Sequence, residues 1–359
     1  MKTLKHLGIT IVTLALLLTP LLPFLPKEWS FQLPWEPIWG NVMKLDQVGV
    51  YGDFVGGFIG TIAFMISVLI LFRSYQNQKT TNKQMLADQE TLHNRTAFES
   101  RFFELLKFHR ENVAGIEVDT KTSRQVFVSL IREFRLALEI VKSVRQTNQL
   151  GLNHSQDIDL AYLAVYYGVG PNSTRLLKKA TVHLPDDLTK PVIHELTSIQ
   201  ERLRNKKLGI VEGDESRNEE FLKWAIERLE YSPFDGHQSR LGHYYRHLWQ
   251  MMKYVDAHAP VGRDQEYADI VRAQLSNHEQ ALLCLNSLSS VGAAWNKKDQ
   301  NGSPGYVTRY GLIKNIPGDF FDPTDELNLK AEFPDIKFEY ENKATDLAEP
   351  NRDTAAPST

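Results

Sequence analysis

The chain has 359 residues, 42% hydrophobic and 24% charged, with a formal net charge of -3. A mean hydropathy of -0.33 and a pI near 6.4 exclude a polytopic transporter and leave no global electrostatic footprint for nucleic acid. The single cysteine, Cys284, excludes an internal disulfide framework and, lying in an apolar helical stretch, reads as a packing residue.

Two apolar runs stand out against this soluble background. Lys2 and Lys5 precede an uncharged run from Leu7 to Leu25. A secretory leader has the same outline, but this run is long, lacks an Ala-x-Ala site and ends among Pro20, Pro23 and Pro26, so a retained anchor is expected. The second run, Phe54 to Phe72, is roughly 19 uncharged residues, the length needed to span a hydrocarbon core. The expectation is a two-helix transmembrane hairpin over 1–73, with spans at 7–25 and 54–72 and a connector at 26–53. Gly56, Gly57 and Gly60 crowd one end of the second span, and a small-residue face of this kind lets helices pack closely against the first span or a second copy of the chain. Lys2 and Lys5 before the first span, and Arg73, Lys79 and Lys83 after the second, place both termini in the cytoplasm. The connector holds Trp29, Trp35 and Trp39, which read as an aromatic belt at the headgroup layer, with a sensor surface as the sharper alternative.

From Ser74 to Asn112 no glycine or proline interrupts the chain, so a helix is expected to continue past the span, as a solvated stalk over 74–97. A mainly α, all-helical cytoplasmic domain is expected over 98–340. Its first helix carries Phe98, Phe102, Phe103, Leu105, Leu106 and Val113 toward the core and ends at Gly115. A second helix, about 123–144, presents Val126, Phe127, Leu130, Ile131, Phe134, Leu138 and Val141 on one face. A shorter helix with Tyr162, Leu163, Tyr166 and Tyr167 stops at Gly168-Val169-Gly170-Pro171. Residues 172–203 read as helical pieces separated by Pro185 and Pro191. This region is locally basic, through Arg175, Lys178, Lys179, Lys190, Arg202, Arg204, Lys206 and Lys207, which reads as a solvated face or as a contact for RNA or anionic headgroups. A loop, a short helix at 219–230 and a second loop follow. Period-two alternation at 333–340 allows one peripheral strand, and the 341–359 tail lacks bulky apolar residues and is expected to be disordered.

The block richest in functional side chains runs from Gly236 to His258. Leu241, Tyr244, Tyr245, Leu248, Met251, Met252 and Val255 trace a buried face, while Arg240, His243, His247 and Gln250 stack on another, with His237 and Arg246 nearby. Three readings stand open. His243 and His247, four apart on a helix, could share a metal ion, but no third ligand is adjacent, and neither metal nor cofactor is expected. Arg272 and His278 have the arginine-to-histidine spacing of helical HEPN ribonucleases, although Ala273 replaces the usual polar residue and one unbroken helix would turn the two side chains about 120° apart. Third, the polar cluster could be structural or form a recognition surface. No phosphate loop, Ser-His-Asp order, Cys-x-x-Cys pair or nucleophile elbow is present, so no strong motif argues for an enzyme.

Several blocks, in order, resemble one family. They are Gly52-Asp53-Phe54-Val55-Gly56-Gly57, Phe98 to Leu106, Tyr166-Tyr167-Gly168, Gly236 to His247 and Arg272 to Ser276, with echoes at Leu312 to Pro317. Together they are similar to bacterial phage abortive infection proteins of the AbiC-like type, departing at Leu285, where an aromatic residue is expected. The resemblance implies antiviral defence. It extends to two-span inner-membrane effectors paired with a retron reverse transcriptase and its non-coding RNA, which makes the lipid bilayer, that enzyme, that RNA and a second copy of the chain the implied partners. It implies no catalytic residue.

Overall fold

In the computed structural model, residues 49, 50, 52, 53, 55–170, 173–207, 231 and 233–341 are described. The first span at 7–25, nearly all of the connector, the short helix at 219–230 and the tail beyond residue 341 lie outside them. The chain is mainly helical and divides into two units, residues 1–92 and 93–359.

In the first unit a π-helical turn, Val55–Ile59, leads into α1, Gly60–Ala114. The helix is continuous because no helix breaker occurs before Gly115. Between residues 60 and 92 its large apolar side chains are exposed, among them Phe64, Leu69, Leu71 and Phe72. Among the described residues, one helical stretch, from Gly56, is long and apolar enough to cross a membrane, and none of its apolar window is buried.

In the second unit α1 continues with Phe98, Phe102, Leu106, His109 and Val113 buried. Phe103, expected in the core, is instead 51% exposed, because the inward stripe follows the four-residue spacing of 98, 102 and 106 and leaves 103 on the outer side. A small antiparallel hairpin follows, β1 (Glu117–Val118) and β2 (Lys121–Thr122), with Glu117 opposite Thr122. Its two-residue strands are too short to show alternation, so no sequence pattern announced it.

The remaining helices are α2 (Arg124–Thr147), α3 (His154–Tyr167), α4 (Thr174–Ala180), α5 (Asp186–Lys207), α6 (Gln238–His258), α7 (Asp264–Gln274) and α8 (Asn277–Leu288), with short turns α9 (Tyr306–Arg309) and α10 (Leu329–Glu332). Every residue of α3 from Asp157 to Tyr166 is buried, as is every residue of α8 from Glu279 to Ser287, including Cys284. Helices buried on all sides belong at the centre of a helical domain: α2 packs against both, α6 packs against α3, and α5 packs against α2. A buried ion pair, Arg145 Nε to Asp157 Oδ1 at 2.6 Å, ties the end of α2 to the start of α3. Asn286 Nδ2 donates to the Tyr162 hydroxyl at 2.9 Å and joins α8 to α3.

Two local expectations are corrected. Pro191 does not separate helical pieces: α5 begins directly after Pro185 and runs through Pro191. There the missing N–H deprives only the carbonyl of Asp187, an exposed residue that water can reach. Residues 333–340 form no strand. Ile336 and Phe338 are buried and Lys337 and Glu339 exposed, so the alternation is real, but the segment docks through one backbone bond, Glu339 N–H to the Lys314 carbonyl, without a partner strand.

Because Phe102 is fully buried and packs edge-on against Tyr267 at 5.2 Å, Phe102→Ala should lower unfolding free energy by about 3–5 kcal/mol in denaturant titration. Leu86→Ala, at a position 65% exposed, should change it by less than about 0.5 kcal/mol.

Candidate functional site at the start of helix α6

The entry to α6 is a backbone crossing. The N–H of His237 donates to the Tyr166 carbonyl at 2.9 Å, and the N–H of Val169 donates to the Phe234 carbonyl at 2.9 Å. The two chains approach so closely that a Cβ on Gly168 would lie 2.6 Å from the Phe234 carbonyl oxygen, and one on Gly236 would lie 2.3 Å from that of Tyr167. Both glycines also have positive φ, +79° and +86°, which side-chain-bearing residues rarely adopt. The Tyr166-Tyr167-Gly168 and Gly236 blocks, far apart in sequence, are therefore direct neighbours.

Below the crossing lies Glu133 of α2, whose side chain is fully buried. Its Oε1 accepts the Phe234 N–H at 2.7 Å, and Oε2 accepts the Tyr231 hydroxyl and faces His237 Nε2 at 2.9 Å. Opposite a carboxylate, Nε2 is the protonated nitrogen. His237 Nδ1 is buried without a hydrogen-bond partner. Burial and the adjacent Glu133 charge hold the Tyr231 phenol well above its ordinary range, so it remains a donor. A second buried carboxylate, Glu279, closes a capping box with Ser276 at the start of α8 and also accepts the Tyr244 hydroxyl at 3.3 Å.

The polar cluster nominated from sequence divides into three environments. His237 belongs to the Glu133 node. Arg240, His243 and Arg246 are exposed on the outer side of α6. His247 is half-buried and stacks at 6.2 Å on His109 of α1, whose two ring nitrogens are both buried and without hydrogen-bond partners. Among the described residues no group of three or more His, Cys, Asp or Glu side chains could hold a metal ion.

Arg272 and His278 fall on different helices, α7 and α8, separated by the bend at Leu275-Ser276. Arg272 Nη1 donates to Asp269 at 2.7 Å and reaches the Tyr310 carbonyl at 3.4 Å. His278 sits edge-on to Phe320 at 5.1 Å, and burial followed by the charges of Arg135 and Arg132 lowers its pKa. A groove of about 630 Å³ between α2 and α5, walled by Glu139, Ser143, His194 and Glu195, contains none of the nominated residues. Gly56, Gly57 and Gly60 belong to the first unit, where a Cβ on any of them would meet nothing within 4 Å.

Sequence reading did not single out Glu133, although its position three residues after Leu130 on the apolar face of α2 marks a carboxylate turned inward. Glu279 carried a clearer signal in the Ser276-x-x-Glu279 capping pattern.

Replacing Glu133 with alanine strands Tyr231, His237 and the Phe234 N–H together and should cost about 3–5 kcal/mol of stability by chemical denaturation. Acid should also weaken the fold through His109, whose pKa is lowered to about 4, first by burial and then by the charges of His247 and Arg124. In the unfolded chain this ring regains its ordinary pKa near 6.5, so the unfolded state binds the proton first as pH falls. Its stabilising contribution is complete above pH ~6.5 and should fall by up to roughly 3 kcal/mol as the pH approaches ~4, a slope that His109→Leu should reduce in pH-dependent melting.

Residues 236–321, from the crossing through α9, match the model of a family described as "Putative phage abortive infection protein". No curated protein and no solved structure matches the chain. The matched block contains α6, α7 and α8 and both members of the Ser276–Glu279 capping box. Over this block the chain is similar to the AbiC-like abortive infection family, and the match supports a general role in anti-phage defence.

Proposed function

We propose that the chain is a membrane-anchored effector of a bacterial abortive infection system. It perturbs the inner membrane after infection is sensed, with the second unit serving as the sensing or partner-binding part in the cytoplasm. The observation that carries this reading is the helical stretch beginning at Gly56, with a window of mean hydropathy 1.9 and no buried residue. A core helix of that composition would be covered by its own domain, whereas Phe64, Leu69, Ile70, Leu71 and Phe72 are each more than half exposed. Burial is worth about 25 cal/mol per Å², so such a surface calls for lipid or a partner helix. The hydroxyls within it are satisfied internally: Thr61 donates to the Gly57 carbonyl and Ser67 to the Ala63 carbonyl at 2.8 Å, as a low-dielectric surrounding requires.

In this reading Gly56, Gly57 and Gly60 form a close-packing face for the first span or for another copy of the chain. Both termini are cytoplasmic, and a reverse transcriptase with its non-coding RNA is the partner that the family resemblance nominates. Replacing Gly56 and Gly60 with leucine should abolish protection from phage while the protein remains in the membrane fraction. Unchanged protection would reduce the segment to a simple anchor. Cells carrying the intact locus should lose membrane potential during an infection that the locus blocks, as read with a potential-sensitive dye; a potential that stays normal would overturn the perturbation mechanism.

A further inference from the structure

The outer face of α6 is chemically one-sided. From Gln238 to Val255, 18 residues, there is no aspartate or glutamate, in a chain with 44 of them. Arg240, His243, Arg246, Gln250 and Lys253 follow one another at intervals of three or four residues and are all exposed. At 1.5 Å per residue, the stripe from Arg240 to Lys253 is about 20 Å long. Among the described residues, none of its cations has an ion-pair partner. Surface cations elsewhere in this unit are commonly paired, as in Arg95–Glu99, Arg263–Glu266 and Arg309–Asp256. A row of like charges without counter-charges is an electrostatic footprint suited to an anionic partner.

The borders of the stripe narrow the choice of polyanion. A helix that lies on an anionic membrane alternates its cations with exposed bulky apolar residues. Along α6 no large hydrophobic side chain is exposed. Trp249 instead stands half-buried between Arg246 and Lys253, its ring held edge-on to Trp295 at 4.9 Å and against Tyr306 at 4.8 Å. A rigid indole beside a row of cations and a neutral amide is the combination that binds a phosphate backbone and stacks an unpaired base.

We propose that the outer face of α6 binds single-stranded nucleic acid, with Arg240, Arg246 and Lys253 on phosphates, His243 and Gln250 as hydrogen-bonding groups, and Trp249 as a stacking platform. The proposal does not depend on membrane perturbation; it concerns a surface to which the defence reading, although it names an RNA among its partners, assigns no ligand.

The test uses the full chain in neutral phosphatidylcholine nanodiscs and a fluorescent single-stranded RNA of about 20 nucleotides, read by anisotropy across a salt series. Three phosphate contacts predict a log–log salt slope near -2, so affinity should rise roughly twentyfold when salt is lowered fourfold. The triple variant Arg240→Gln, Arg246→Gln, Lys253→Gln should lose most of the binding and the slope while keeping the wild-type melting profile, since all three side chains are exposed. Trp249→Leu should weaken binding and leave the slope unchanged. Equal binding by wild type and the triple variant would overturn the proposal, as would no binding to the wild type. Tighter binding of a duplex of the same length, or displacement of the RNA by polyglutamate as readily as by unlabelled RNA, would overturn it by showing that the face reads bulk charge alone.

Discussion

A single buried carboxylate organises the second unit. The Glu133 side chain is fully buried, and a lone carboxylate in such surroundings would be strongly disfavoured. Its solution is three donors from one short stretch of chain: the Tyr231 hydroxyl, the Phe234 N–H and the His237 imidazole. Because Phe234 and His237 also bond through their backbones to Val169 and Tyr166, the same stretch is pinned on two sides. The direction in which α6 leaves this crossing, and so the orientation of everything carried on it, depends on that pinning.

Glu279 repeats the arrangement on a smaller scale. It caps its own helix through Ser276 and accepts from Tyr244 on α6, so α6 is held at its start by one carboxylate and near its first third by another. Between these anchors the inner side of the helix is spent on packing and its outer side is left free of acidic groups. Anchoring from within is what allows the exposed row of cations to be presented without support from surface ion pairs.

The helices with regular amphipathic spacing were legible in the sequence. All seven residues that periodicity assigns to the inner face of α6, and all seven named for α2, are buried. The node at Glu133 was less legible because its parts lie about a hundred residues apart, and no local pattern states that a carboxylate on one helix will meet a histidine ahead of another. The polar residues of the 236–258 block looked like one cluster because they are close in sequence. The 3.6-residue turn distributes them: His237 to the Glu133 node, His247 to His109, and Arg240, His243 and Arg246 to solvent. On one unbroken helix Arg272 and His278 would lie about 120° apart, but the capping box at Ser276 starts a new helix between them, a feature that the sequence carried.

The long sequence separation at the Glu133 node also bears on how the protein is made. Closing a contact across about a hundred residues is entropically slow and gains nothing until both sides are present. While a ribosome is still short of Tyr231, α2 can pair with α3 but carries an acid on its inner face that nothing yet satisfies. The first half of the domain should therefore stay loosely packed until residues 231–237 emerge and lock it. A domain built this way reaches its finished shape only after residues 231–237 have been made.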